Sequence, residues 1–449
     1  MAGLYALYKP INQRTTSPFM QTSIRLLGQR RFLPLFVTQL LGAFNDNLFK
    51  TAMVLFVTYH VYSDPTRETQ FNAIATGLFI LPFFLLSALS GQLADTRDKA
   101  RIIRLVKTAE IAIMVVGAIG LTLADSPTFG QFSIPLMLGA VLAMGVHSTF
   151  FGPIKYAILP QHLQPDEVLG GTGLVEAGTY IAILAGTVLA GLIDAQAAAV
   201  GVLIVAVLGW FSGRQVPPAP PVVPPEPLDW HIVRASIRLV SATMHIPRLF
   251  LAICSISFFW TIGAVLIIQF PPIVKNVLTA NEQVASLFLG IFSVGVAIGS
   301  IMVNRLLKGQ VSARFSPISV IVMGGFILLF HFVTKSWVGD VGDDLYNLRD
   351  FVGHAGAPLL ILSLLGVAIA GGMFVVPLYA FLTTTVGKDE TARTVAANNI
   401  VNSGAMVAGS LLAFGLSALG VSAVDQLLAI TAMCFVSAWI AWKLHLACD

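Results

Sequence analysis

About twelve apolar stretches, each long enough to cross a bilayer, recur along the chain, and this recurrence constrains the fold more than any other feature. Hydrocarbon offers no water to backbone N–H and C=O groups, so a chain of such runs must fold as helices that bond their own backbone. The runs fall near 32–62, 71–94, 101–124, 132–159, 167–193 and 195–213, then near 248–275, 283–307, 315–335, 357–384, 393–418 and 423–446. Of the 449 residues, 56% are hydrophobic and 11% charged, whereas a soluble domain carries about a quarter charged residues. The sequence predicts an all-α integral membrane protein and excludes a soluble globular one.

The two sets of six are separated by residues 214–247. The proline run from Val216 to Pro227 cannot be helical and reads as an extended linker. After it, Ile232, Ile237, Leu239 and Val240 interleave with Arg234, Arg238 and His245, the pattern of a helix lying on a membrane surface. The expected organisation is a tail (1–31), a first bundle (32–213), a linker (214–247) and a second bundle (248–446).

Lys and Arg collect in cytoplasmic loops. Arg25, Arg30 and Arg31 precede the first helix, and Arg97, Lys99, Arg101 and Arg104 follow the second. Arg214, Arg234, Arg238 and Arg248 flank the linker, and Arg305, Lys308 and Arg314 follow the eighth helix. Asp64, Asp125, Asp194, Asp340, Asp343, Asp344 and Asp350 fall in the opposite loops. Both termini and the linker are therefore expected in the cytoplasm, and the net charge of +4 encodes topology rather than nucleic-acid affinity. The polar stretch Met1 to Gln29 lacks the apolar centre of a signal peptide, so the first helix is expected to act as its own insertion signal. Cys254, Cys434 and Cys448 have no metal-ligand spacing, which argues against zinc sites and disulfide frameworks.

The halves resemble each other. The fourth helix ends Phe151-Gly-Pro-Ile-Lys-Tyr156-Ala157, and the tenth carries Phe374-Val-Val-Pro-Leu-Tyr379-Ala380. In the helices that follow, Glu176-Ala-Gly178 aligns with Asn402-Ser-Gly404. Paired repeats of this kind are how many secondary transporters build a central site.

Within the first apolar run, Gln39, Gly42 or Ala43, and Asp46 recur at helical spacing and make a polar stripe. Asp46 is expected near the bilayer midplane, where a charge costs a few kcal/mol or more and marks a cavity rather than a lipid face. Glu176 is the other carboxylate expected deep in the membrane. Asn398, Asn399 and Asn402 form a further polar patch, suited to cavity lining or to interhelical bonding.

The loop after the second helix reads Gly91-Gln-Leu-Ala-Asp95-Thr-Arg97-Asp98-Lys99-Ala-Arg101. It resembles the G-x-L-a-D-r-x-G-r-r signature of the major facilitator superfamily, with Asp98 and Ala100 departing from its second half. The resemblance implies a fold of twelve helices in two bundles and no covalent chemistry. Gly91, Asp95, Arg97 and Arg101 would form a conformational latch. A closer resemblance is to bacterial lysophospholipid transporters, which also form the membrane part of fused transporter–acyltransferase proteins. It rests on Gly42-Ala-Phe-Asn45-Asp46-Asn47, Pro153-Ile-Lys155-Tyr156-Ala157-Ile-Leu159, Gly173-Leu-Val-Glu176-Ala and Gly371-Gly372-Met-Phe-Val-Val-Pro377-Leu.

That resemblance implies a multi-pass protein of the bacterial cytoplasmic membrane that flips lysophospholipids to the inner leaflet for re-acylation, without a cofactor or metal. Its functional aspartate and lysine match Asp46 and Lys155. An arginine that the family can carry in the seventh helix is missing, and Gln269 is what this stretch offers in its place. No acyltransferase motif follows Lys443, so a re-acylating enzyme is expected on a separate chain, and the transporter is expected to be a monomer.

Asp46 reads as a contact for a head-group amine or a coupling cation, or else as a structural partner of Lys50 one turn on. Lys155 would hold a phosphate or snorkel to the surface. Glu176 would pair with Lys155. Asn45, Gln39, Asn398, Asn402, Tyr156 and Tyr379 complete the candidate substrate site, whereas His147 reads as a satisfied core histidine more readily than as a proton relay. Two rival readings are a proton-coupled exporter of amphipathic compounds and a membrane anchor that feeds an acyltransferase.

Overall fold

A computed structural model of the chain describes residues 25–123, 126, 128–164, 167–221, 228–307, 312–338, 345–384, 386 and 391–448. Residues 1–24 of the tail, 222–227 of the proline run, Lys308, and Asp125, Asp340, Asp343 and Asp344 lie outside them.

Among the described residues twelve long helices succeed one another: α1 (Leu33–Phe56), α2 (Pro65–Thr96), α3 (Lys99–Leu123), α4 (Ser133–Ala157), α5 (Val168–Ala190), α6 (Ala195–Arg214), α7 (Pro247–Asn276), α8 (Glu282–Leu307), α9 (Ser316–Lys335), α10 (Ala357–Thr384), α11 (Thr391–Ala418) and α12 (Ala423–Cys448). Eleven are long and apolar enough to cross a membrane, among the described residues. The exception is α3, whose first half carries Lys99, Arg101, Arg104, Lys107 and Glu110. It is nonetheless 25 residues long, enough to span.

Local chemistry sets the ends of these helices. Asp64 caps α2 by accepting from Thr66 N at 3.0 Å, with Pro65 at the first helical position. Asp194 does the same for α6 through Ala197 N at 2.7 Å. α1 ends in a π-helical turn, Val57–Val61, closed by Tyr62 N on Val57 O at 3.0 Å.

Buried side chains of α1–α6 form two apolar clusters, around Phe49 and Met144 and around Phe32 and Ile154. Those of α7–α12 form one large cluster in which Phe270, Phe288 and Phe330 meet edge-on. Small residues let backbones approach. A Cβ on Gly299 would lie 2.0 Å from Ile369 O, and one on Gly372 would lie 2.2 Å from Val296 O, so α8 and α10 touch main chain to main chain.

The linker is tied down at its start. Ala219 N donates to Asp98 Oδ1 at 3.1 Å, Lys99 N to Ala219 O at 3.0 Å, and Arg104 Nη2 to Val216 O at 3.1 Å. After the linker a helix runs over Ile232–Met244, with Trp230 before it and Val233 and Ile237 on it exposed. It packs on both α2 and α11 and so touches the two bundles.

Candidate functional site

In the first bundle, α1, α4 and α5 bring the predicted residues together. Asp46 is half-buried and accepts from Ser148 Oγ on α4 at 2.5 Å, while its Oδ1 has no hydrogen-bond partner. Asp46 and Lys50 form no ion pair: the Lys50 ammonium sits over the Phe79 ring, 4.8 Å from its centre. Gln39 is buried and accepts from Thr179 Oγ1 at 2.7 Å, and Lys155 Nζ reaches the same hydroxyl at 3.3 Å. Thr179 of α5 thus joins the polar stripe of α1 to the lysine of α4.

The Lys155–Glu176 pair expected from sequence does not form, because the Tyr156 hydroxyl donates to Glu176 instead. The second bundle repeats this arrangement without charge. Asn402 Nδ2 donates to the Tyr379 hydroxyl at 3.4 Å, Trp260 Nε1 donates to it at 2.7 Å, and Ser257 Oγ donates to Asn402 Oδ1 at 2.7 Å. The internal repeat therefore places a tyrosine of the fourth helix of each half against a polar residue of the fifth. Asn398 is fully buried one turn before Asn402. Gln269 does not stand in for an arginine at the centre: it is fully buried and donates to Gln426 of α12 at 2.7 Å.

Sequence reasoning missed three buried carboxylates, Glu110, Glu68 and Glu167. Glu110 of α3 is 1% exposed and takes the Lys107 ammonium on Oε2 and Asn45 Nδ2 on Oε1 at 3.0 Å. Asn45 is accordingly engaged with α3, away from the Asp46 face. His147 Nε2 stands 3.2 Å from Glu110 Oε2 without the alignment of a hydrogen bond. Three glycines make room for the lysine: a Cβ on Gly42, Gly209 or Gly213 would approach Lys107 atoms to 3.3, 2.9 and 3.1 Å. Charges at 107 and 110 inside an apolar run were the available signal.

The second missed carboxylate, Glu68, is fully buried where the bundles meet. Lys275 Nζ donates to Glu68 Oε1 at 2.6 Å, to Thr58 O at 2.5 Å and to Tyr62 O at 2.7 Å. Asn276 Nδ2 donates to Glu68 Oε2 at 2.5 Å. The ammonium sits at the C-terminal end of α1, where carbonyls lack intrahelical partners and the helix dipole favours a cation.

The other polar links between the bundles lie at the same end. They are Tyr59 to Ala280 O, Asn72 to Ile268 O, Ser417 to Thr66 O, and His60 with Glu282. The polar links named here between the two halves thus gather at the end away from the termini.

Around the α2–α3 junction, Asp95, Arg97 and Arg101 are exposed, and a Cβ on Gly91 would meet nothing within 4 Å. The anchoring residue is Asp98, the one that departs from the signature; its Oδ1 accepts from Ala100 N at 2.9 Å as well as from Ala219 N. Beside it, Glu167 at the start of α5 receives Arg31 Nη2 at 2.8 Å. The Gln164 N–H, reinforced by Arg31 and Arg25, holds the Glu167 carboxyl below its usual range.

The helices, the repeat and the polar links between the two bundles define a membrane transporter, and the chain belongs to the Major Facilitator Superfamily, whose sequence profile matches residues 35–410. It is similar to the lysophospholipid transporter LplT of Serratia proteamaculans, with 25% identity over 403 residues that cover 87% of this chain and 89% of the relative. The LplT of Photorhabdus laumondii is 24% identical over 355 residues, 77% and 78% of the two chains. Among solved structures, a bacterial homologue of the iron transporter ferroportin in an inward-facing state superposes with a TM-score of 0.65 at 14% identity, covering 93% of this chain and 98% of that one. A bacterial homologue of the lysosomal transporter Spinster, inward-facing and unoccupied, gives 0.65 at 12% identity over 96% and 98%.

Proposed function

We propose that this transporter carries lysophospholipids from the outer to the cytoplasmic leaflet of a bacterial cytoplasmic membrane by alternating access, supplying a separate acyltransferase. Positive-inside orientation puts the termini in the cytoplasm, so the polar links between the bundles would close the outer end. The observation that carries the reading is a charged wall in one bundle combined with an apolar cleft between the two. Asp46, Lys50 and Lys155 offer opposite charges to a phosphate and an amine. The cleft, about 370 Å³, lies between α5 and α8 in the outer half and is lined by Leu184, Val188, Leu287, Ile291, Val294 and Leu365. A single acyl chain suits such a slot; a polar metabolite does not. The named activity of the LplT relatives supports the same substrate class.

The test is uptake of labelled lysophosphatidylethanolamine by proteoliposomes. Saturable uptake that falls at least tenfold in Asp46→Asn and in Lys155→Ala, with unchanged thermal unfolding, is expected. Uptake no greater than in empty liposomes overturns the substrate assignment, and parental rates in both variants overturn the site.

A further inference from the structure

Where α3 begins and α6 ends, side chains of the two helices interlock at an exposed seam. Trp210 Nε1 donates to Thr108 Oγ1 at 3.1 Å, and Thr108 Oγ1 donates in turn to Arg104 O at 2.8 Å. The Arg214 guanidinium lies over the Trp210 ring, 4.6 Å from its centre. Arg104 Nη2 donates to Val216 O, two residues beyond Arg214, at 3.1 Å. Arg104 and Arg214 are thereby held at one seam, the first by a carbonyl and the second by an indole. Arg101 is exposed one turn before Arg104.

The charge at this seam is unanswered. Among the described residues, Arg101, Arg104 and Arg214 form no ion pair. Asp98 is turned to Ala100 N and Ala219 N, and Glu110 is bonded to Lys107 in the core. Like charges held at one seam repel, and a guanidinium keeps N–H donors that match the oxygens of a phosphate. The surroundings indicate where such an anion comes from. Leu105, Leu208 and Phe211 are exposed on the same two helices. α6 is long and apolar enough to cross a membrane, with Trp210 and Arg214 at its end. An indole beside a cation at such an end lies at head-group level, and basic pockets between helices there take anionic head groups.

We propose that the α3–α6 seam binds one anionic phospholipid, with its phosphate between Arg104 and Arg214 and its acyl chains along Leu105, Leu208 and Phe211. The head group bridges α3, α6 and the start of the linker. The second half offers a comparison within the same molecule. On α12, the repeat counterpart of α6, Lys443 Nζ lies over Trp439 at the same four-residue spacing, 3.7 Å from the ring centre. α9, the counterpart of α3, contains no arginine, so Lys443 has no second guanidinium from that helix. The lipid seat is remote from the cleft between α5 and α8 and does not depend on the substrate reading.

The experiment is native mass spectrometry of the purified full-length protein in detergent, titrated with phosphatidylglycerol or with phosphatidylcholine. The parent should bind one phosphatidylglycerol at least tenfold more tightly than phosphatidylcholine. Arg214→Gln should weaken that binding about fivefold, the weight of one cation at an anionic head group, and Arg104→Gln with Arg214→Gln about twenty-five-fold. Lys443→Gln and Asp46→Asn should bind as the parent does. Arg104 also holds the linker, so Arg214→Gln, with unchanged thermal unfolding, is the deciding variant. Equal affinity of the parent for the two lipids, or parental affinity in Arg214→Gln, overturns the proposal. An equal loss in Lys443→Gln overturns it as well, because the attraction is then general to the basic end of the molecule. If glycerol 3-phosphate displaces phosphatidylglycerol at equal concentration, the seam takes free phosphate esters and the lipid assignment fails.

Discussion

Removing the Lys275 ammonium should open the closed end of the transporter. In the closed state the ammonium makes three hydrogen bonds, and its carboxylate partner Glu68 is fully buried. Lys275→Ala leaves that carboxylate with Asn276 as its remaining donor. Breaking a buried pair by removing one partner costs about 3–5 kcal/mol. Lys275 is itself 16% exposed, so the lower figure applies. In the opposite state the ends separate and water reaches both groups, so the penalty falls on the closed state alone. About 3 kcal/mol corresponds to a shift of roughly a hundredfold in the closed-to-open ratio. Spin labels at Arg67 and Val352, both exposed near the closed end on different bundles, would report it in nanodiscs after the native cysteines are replaced. The parent should give a short distance distribution and Lys275→Ala a dominant longer one. Lys275→Met with Glu68→Gln should recover part of the short population, because no charge is then stranded. Superimposable distributions for parent and Lys275→Ala would refute the reasoning.

The Lys107–Glu110 pair should behave as a structural unit: Lys107→Met alone lowers stability by about 3–5 kcal/mol, and Lys107→Met with Glu110→Gln restores most of it, read from denaturant unfolding in detergent. Gly209→Ala would place a Cβ 2.9 Å from Lys107 Cε and should cost about 1–3 kcal/mol, whereas Gly91→Ala, with nothing within 4 Å, should leave the thermal midpoint unchanged. Glu167 has a depressed carboxyl, so its contribution is present above the ordinary value of 4.5 and is lost as pH falls through its lower folded value. The difference in thermal midpoint between parent and Glu167→Gln should therefore be full at pH 7 and shrink below pH 4.5; a constant difference down to pH 3 would count against the Arg31 contact.

The spans were legible because each is a local property of one stretch of sequence. The repeat was legible for the same reason: it aligned Tyr156 with Tyr379 and Glu176 with Asn402, but the partner it left for Glu176 was Lys155, not the tyrosine that the structure puts there. What escaped was pairing at a distance. Glu68 and Lys275 are 207 positions apart and sit at helix ends, where a charge reads as an ordinary loop residue. Lys107 and Glu110 follow the basic first turns of α3, whose charges made the start of that helix read as solvated. Asp98 shows the converse error: judged as a flaw in a signature, it is the residue that binds the linker.

Two of the three acceptors that hold Lys275 are main-chain carbonyls, Thr58 O and Tyr62 O, presented by the π turn at the end of α1. A bolt that grips main chain is indifferent to the side chains it passes. Substitutions at 58 and 62 can accumulate in descendants of this protein as long as the turn keeps its shape, and only 68 and 275 must change in step. Comparisons of related sequences would then register the Glu68–Lys275 pair and miss the two main-chain bonds that hold the same ammonium.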